Sequence, residues 1–376
     1  MDKYLIKYCQ NNQKWNEFCD AQEDAWFWHT TGWIKYCEHS QFGVDTQNLS
    51  FMIVHNGKIL AVVPLMLEVN QSKGNREFTF SGGPTPFFVI DQSTERREAS
   101  AIQDLIWGEI ERLATLHNVG RIWMRANVQN NGYLSGINVD NPLTRKGFLD
   151  TSLYSCIVSL NHEEKFLLSE MRKGHKAAVK KSTKQLTAVC YDSDTITVDK
   201  LNQFRDVYFS VVGKVTRPPV TFDMLFEFIK SGHGLLFEAV FEHHIAGYSL
   251  IIRYKQYAYY AMACVVQEYK DCDVSHFLEW QAFCSLKQRN ILYYELGEQY
   301  FGGTLSCIVS DKMKSISAFK RGFGGKLYLQ CSGEYFHTKD YFHKIYSMRL
   351  QEYEQSRWGN EIILSKKIYR LEEHDA

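Results

Sequence analysis

The chain has 376 residues, 45% of them apolar and 14% aromatic, more than one hydrophobic core comfortably absorbs, and two domains are expected. Forty-three basic residues balance 43 acidic ones, which argues against a dedicated nucleic-acid binder and any role with DNA but leaves room for a local basic patch. No run approaches the ~20 apolar residues that span a bilayer.

The opening MDKYLIKYCQNNQKWNEF has no apolar stretch long enough for a signal peptide. Ten cysteines are scattered without CxxC pairs or zinc spacing, and Asp271-Cys272-Asp273 is too isolated to hold a metal. A reduced, cytoplasmic, metal-free setting is expected, with the cysteines as small core residues.

Residues 4–8 alternate like a strand, and 15–36 form a helical region rich in aromatics (Trp26, Phe27, Trp28, Trp33). Asn56-Gly57 between the apolar runs 51–54 and 59–68 signals a tight hairpin. Residues 99–117 have helical apolar spacing and stop near Gly120; 121–126 then read as a strand. Arg145-Lys146-Gly147-Phe148 leads into the strand 153–160.

The second half repeats this order. Strands 235–241, 245–254 and 257–266 precede a helix over 274–289 and a strand over 291–296, and Arg321-Gly322-Phe323 leads into a strand over 326–331. Ile59 and Ile245, Ile122 and Ile291, and Gly147 and Gly322 recur at similar offsets. We read an α/β (α+β) chain of two tandem units, each a mixed sheet with helices on its faces and a parallel crossover. The first unit covers 1–155, with 335–376 packing back on it as an aromatic-rich helix; the second covers 156–334.

Between the units, 161–185 read as one helix. Arg172, Lys176, Lys180 and Lys184 are spaced four apart on one face, with Lys173 and Lys181 beside it. Such a row suits a polyphosphate, or is simply a solvated linker face. Arg217, just before Pro218-Pro219, would be held at a turn that can face a ligand.

The stretch YYELGEQYFGG…SISAFKRGFGGKLY (293–328) passes from a strand through a glycine-bearing turn and a short helix into another strand. Lys320 there places a compact positive charge where negative charge can build up during a reaction, unless the glycines only cap a helix and Lys320 is solvated. Glu295, just before this turn, is the candidate for proton removal, or a turn-capping carboxylate. Of Tyr259 and Tyr260, one should face the cleft because strand side chains alternate, unless both are core. His243-His244 read as solvated, and His175 and His276 as helix residues with no assigned partner.

The succession MRKGHKAAVKKS, Thr216-Arg217, three strands, ELGEQYFGG and AFKRGFGG resembles the FemAB family, best over 151–330. The first unit is similar mainly in architecture, with Trp33 and Val63-Pro64-Leu65 as local cues. The resemblance implies tandem GNAT-like units that make amide bonds from an activated acyl or aminoacyl donor: acyl-coenzyme A, an acyl-carrier protein or aminoacyl-tRNA. It implies that Lys320 stabilises an oxyanion beside a wall made by Phe319. Arg217 and, less directly, Lys35 would hold an acceptor's diphosphate, as in a sugar-nucleotide or cell-envelope precursor; Arg172, Lys176 and Tyr260 complete the expected binding set. Arg125-Ala126-Asn127 carries an amide where family members often have an acid, no long helical arm is evident, and Gln267–Asp273 lacks the glycines of a coenzyme A turn, so the donor stays open. The alternative is a non-catalytic protein of the same fold that holds an anionic ligand.

Overall fold

The computed structural model describes residues 4–8, 12–127 and 140–372, the last helix beyond 358 by its backbone alone. The first unit opens with β1 (Leu5–Tyr8), α1 (Asn12–Ala21), a 3-10 turn (Phe27–His29) and α2 (Thr31–Glu38). Then come β2 (Val44–Asn48), β3 (Phe51–His55), β4 (Lys58–Val63), β5 (Met66–Asn70), β6 (Arg76–Phe78), β7 (Thr85–Pro86) and β8 (Val89–Ile90). Helix α3 (Arg96–Leu116) leads to β9 (Arg121–Arg125), and β10 (Leu149–Asp150) ends the unit's first pass.

Asn56 and Gly57, at φ 49° and 81°, make the expected hairpin turn between β3 and β4. The single strand expected over 59–68 is two strands in different sheets. Pro64 brings no N–H to a ladder, and the Leu65 N–H donates to the Ser50 hydroxyl at 3.1 Å instead of to a neighbouring strand. β4 therefore joins the antiparallel sheet β1-β3-β4-β8, and β5 a mixed sheet with β6 and β9. The β6–α3–β9 crossover is parallel.

The second unit holds β11 (Leu153–Ser159), α4 (Glu164–Glu170), α5 (Lys173–Ser182), β12 (Leu186–Tyr191), α6 (Val198–Val212) and α7 (Val220–Lys230). It continues through β13 (Gly234–Phe241), β14 (His244–Tyr254), β15 (Tyr257–Val265), α8 (Val274–Gln288), β16 (Tyr293–Gln299), α9 (Asp311–Arg321) and β17 (Lys326–Gln330). Its seven strands run β12-β13-β14-β15-β16-β11-β17, parallel only at β15–β16. The helix expected over 161–185 is broken at Met171 and Arg172, both extended, because the Arg172 N–H donates to the Gly322 carbonyl at 2.8 Å. Arg172 thus precedes α5 rather than lying on its basic face.

After β17 the chain returns to the first unit. β18 (Ser332–Phe336) pairs antiparallel with both β9 and β10, and α10 (Lys339–Glu372) follows. The expected divisions at 155/156 and 334/335 fall inside β11 and β18; by sheet membership the chain divides between β10 and β11 and between β17 and β18.

Each unit has its own core, around Ile106 and Phe78 in the first and Phe283 and Tyr294 in the second. A third core joins them: Trp15, Trp26 and Phe27 of the first unit pack with Phe204, Phe222 and Tyr248 of the second, all nearly or fully buried. At roughly 1.5–3 kcal/mol for each large apolar side chain, this seam holds the units firmly together.

Candidate active site

The site lies where the parallel pair β15–β16 comes apart. Register holds only from Tyr257–Tyr259 against Tyr293–Glu295, yet β15 runs on to Val265 and β16 to Gln299. Beyond Glu295, β16 is drawn toward β11, where the register shifts at Cys156/Ile157 and Gly297 takes φ 97°. Only glycine adopts that backbone cheaply. The parting leaves side chains of both strands facing open space.

Two adjoining cavities occupy it. The larger, about 290 Å³, lies between the units: Trp28, Trp33, Tyr36 and Arg125 come from the first, and Arg217, Tyr259, Glu295 and Glu298 from the second. The smaller, about 210 Å³, is lined by Tyr300, Met313, Ile316, Ser317 and Lys320. Tyr259 and Glu298 belong to both.

Lys320 lies in the last turn of α9 with its Nζ 5.5 Å from the centre of the Tyr260 ring. A Cβ on Gly297 would come within 3.1 Å of that amine, so the glycine also makes its space. Burial pulls the Lys320 pKa below the ordinary lysine value, and Glu279, Glu298 and Glu295 oppose the shift without cancelling it. The result is a half-dehydrated cation encircled by carboxyl groups.

Glu295 is buried and accepts a 2.5 Å hydrogen bond from the Ser155 hydroxyl. Glu298 forms a 2.5 Å ion pair with Arg125 across the two units and accepts a bond from the Tyr300 hydroxyl. Burial pushes its carboxyl pKa up, but Arg125 and Tyr300 outweigh this and hold it below the ordinary range. Glu279, buried beneath the site on α8, accepts from the Tyr294 hydroxyl at 2.9 Å, while its other oxygen finds no partner among the described residues. Burial pushes its pKa up to about 8, against Tyr294 and Lys320, so it is neutral at pH 7.

The expected residues divide accordingly. Lys320, Glu295 and Arg217 are brought to the cavities. Arg217 donates to the Tyr36 hydroxyl at 2.6 Å and lies 5.9 Å from the Tyr208 ring centre. Phe319 is not a cavity wall: it turns inward against His175, His276 and Phe323, at centroid distances of 5.4, 5.1 and 5.1 Å. Lys35 points outward from α2, and its neighbour Tyr36, stacked on Trp33 at 4.9 Å, faces the cavity instead. Tyr259 lines both cavities, whereas Tyr260 turns toward the second unit's core and lies beneath the Lys320 amine. Arg172 and Lys176 line neither cavity; the Lys176 amine donates to the Ser169 carbonyl at 2.7 Å.

Sequence reasoning passed over Arg125, Glu298, Tyr36 and Glu279. Glu298 stands inside ELGEQ, directly after the glycine that shapes the strand, and was within reach of the same argument that picked Glu295. The others carry no local signal, because strand and helix residues become site residues only through the partner they meet across the seam. Among the described residues no group of three His, Cys, Asp or Glu side chains could hold a metal ion, and no helix is long and apolar enough to cross a membrane.

No family model and no curated protein matches the sequence. The fold, however, is shared with solved structures. FemX superposes with a TM-score of 0.62 at 12% identity, over 91% of this chain and 99% of FemX. The C-terminal domain of a putative lysylphosphatidylglycerol synthetase from Agrobacterium fabrum gives 0.56 at 11% identity, over 91% and 96% of the two chains. L-PGS from Bacillus licheniformis gives 0.53 at 9%, over 94% and 98%. At these identities the likeness is one of fold, and the chain has the FemAB-like fold of two tandem GNAT-like units.

Proposed function

We propose that the protein is a cytoplasmic acyltransferase that joins an activated acyl or aminoacyl group to an amine-bearing (or hydroxyl-bearing) acceptor. The observation that carries this reading is the Lys320 amine, half-dehydrated in the smaller cavity, which shares Tyr259 and Glu298 with the cavity between the twin units. The larger cavity takes the acceptor. Its Arg217 suits a phosphate or diphosphate, and the Trp33–Tyr36 stack suits a ring, as a sugar-nucleotide or cell-envelope precursor would present. The smaller cavity, with Met313 and Ile316 beside Lys320, takes the acyl group.

In the reaction the acceptor amine attacks the acyl carbonyl, the carbonyl oxygen becomes an oxyanion, and the donor's carrier leaves with its electron pair. Lys320 stabilises the oxyanion, and Glu295 accepts the proton lost by the amine. Coenzyme A, an acyl-carrier protein and aminoacyl-tRNA remain the donor classes to assay. The name of one similar structure, a lysylphosphatidylglycerol synthetase, describes an aminoacylated product and supports testing aminoacyl donors first.

Lys320→Ala should lower turnover by about 10²–10³ while leaving acceptor binding, read by thermal shift, within about twofold. Unchanged turnover in that variant would overturn the role of Lys320. Binding of an anionic ligand with no donor consumed in any assay would favour the non-catalytic reading.

A further inference from the structure

We propose that Arg172 and His175 form a relay that fixes the end of α9 and so positions Lys320, a positioning role that rests on the function proposed above. His175 stands in the first turn of α5 and is 2% exposed, yet both its ring nitrogens are engaged. Nε2 lies 2.9 Å from the Phe319 carbonyl oxygen, and Nδ1 lies 3.3 Å from Arg172 Nη2. A guanidinium can only donate, so Nδ1 must accept and the ring proton resides on Nε2. The direction is therefore set: Arg172 donates to His175, and His175 donates to Phe319.

The Phe319 carbonyl is among the last four of α9; it accepts the Gly322 N–H at 3.0 Å, and its second lone pair is left for the imidazole. It also begins the peptide unit that enters Lys320, so fixing its plane fixes where the lysine side chain departs. A second contact ties the same two segments, since the Arg172 N–H donates to the Gly322 carbonyl at 2.8 Å. Gly322 is bare for the sake of the imidazole: a Cβ there would stand 2.3 Å from Nε2. Phe323 and His276 meet the ring edge-on at 4.7 and 4.5 Å and close its remaining sides.

Burial holds the His175 pKa below the ordinary histidine value; the bond to the Phe319 carbonyl opposes this and the Arg172 charge adds to it. The other ionisable groups facing this cluster are His276, itself held at about 4 chiefly by burial, and Asp273, 3.8 Å from His276 Nδ1. The neutral imidazole that the relay requires is thus the form present at pH 7.

The test is pulse acetylation of the folded, full-length chain across a pH series, with mass-spectrometric readout of Lys320 and thermal melts as a folding control. Wild-type Lys320 should reach half-labelling below the pH at which surface lysines do. In His175→Ala, freed from its cleft, it should need a pH higher by about one unit, or label about tenfold less at fixed pH. His175→Gln, whose amide can both accept from Arg172 and donate to Phe319, should restore the wild-type profile. Arg172→Leu, a surface change that leaves the core intact, should move the profile in the same direction as His175→Ala and decides the matter if that variant does not fold. An unmoved Lys320 profile in a folded His175→Ala or Arg172→Leu chain overturns the relay. The labelling uses no substrate, so a shifted profile upholds the relay even if no transfer is ever detected, and an unshifted one sinks it even if Lys320→Ala abolishes transfer.

Discussion

Lys320 keeps a charge in surroundings that disfavour one, and this has a kinetic signature. Oxyanion stabilisation needs the protonated amine, and burial lowers its pKa. Turnover should therefore fall on the alkaline side at a pH below about 10.4, the ordinary lysine value. In Lys320→Arg the guanidinium stays protonated, so the alkaline fall should disappear from the pH–rate profile even if the rate itself drops. Glu279 offers a matching test in stability. Its carboxyl is raised from 4.5 to about 8, so the folded state keeps a proton that the unfolded chain gives up. The stability this contributes is full below about 4.5 and is lost as pH rises toward about 8. Glu279→Gln should unfold at higher urea than wild type at about pH 8, by at least about 1 kcal/mol, and at the same urea at about pH 4.

At the scale of elements, the bend in β16 sets the site. Gly297→Ala imposes a side chain at φ 97° and crowds the Lys320 amine. It should cost about 1–3 kcal/mol by denaturant midpoint and lower kcat more than it raises KM. Elements that rest on local chemistry were legible beforehand: the Asn56-Gly57 hairpin, the amphipathic helices α3 and α8, and the parallel crossovers they imply. Elements decided by distant partners were not. The bond from Arg172 to Gly322 breaks a helix that its own residues favour. Residues 332–336 carry no element in the sequence reading, yet they form a strand because β9 and β10 offer a ladder. The same division runs through the site. Lys320 and Glu295 stand beside glycines that mark unusual backbone, whereas Tyr36 and Arg125 look like ordinary helix and strand residues until the second unit supplies Arg217 and Glu298.

At the scale of the molecule, the seam is polar as well as aromatic. The Lys255 amine donates to the carbonyls of Cys19 and Ala25 at 2.8 and 3.0 Å, and the Tyr254 hydroxyl donates to Asp20 at 2.5 Å. Cleft shape should therefore be set by a fixed union of the units. The return strand is tied equally firmly: Glu334, 1% exposed, bonds Arg121 of β9 and, at 2.6 Å, Arg349 of α10. Glu334→Ala would take this partner from Arg349 where water is scarce and leave Arg121 with Glu77 alone, at 2.7 Å, and its unfolding midpoint should show a loss of about 3 kcal/mol. That return strand also imposes an order of events during translation. The N-terminal sheet cannot be completed until residues 332–336 emerge, long after its other strands, so in the interval β9 presents an open flank to its surroundings. The nascent chain must hold an unfinished half in waiting while the other half matures, and a chaperone that shields β9 in that interval should raise the yield of native protein.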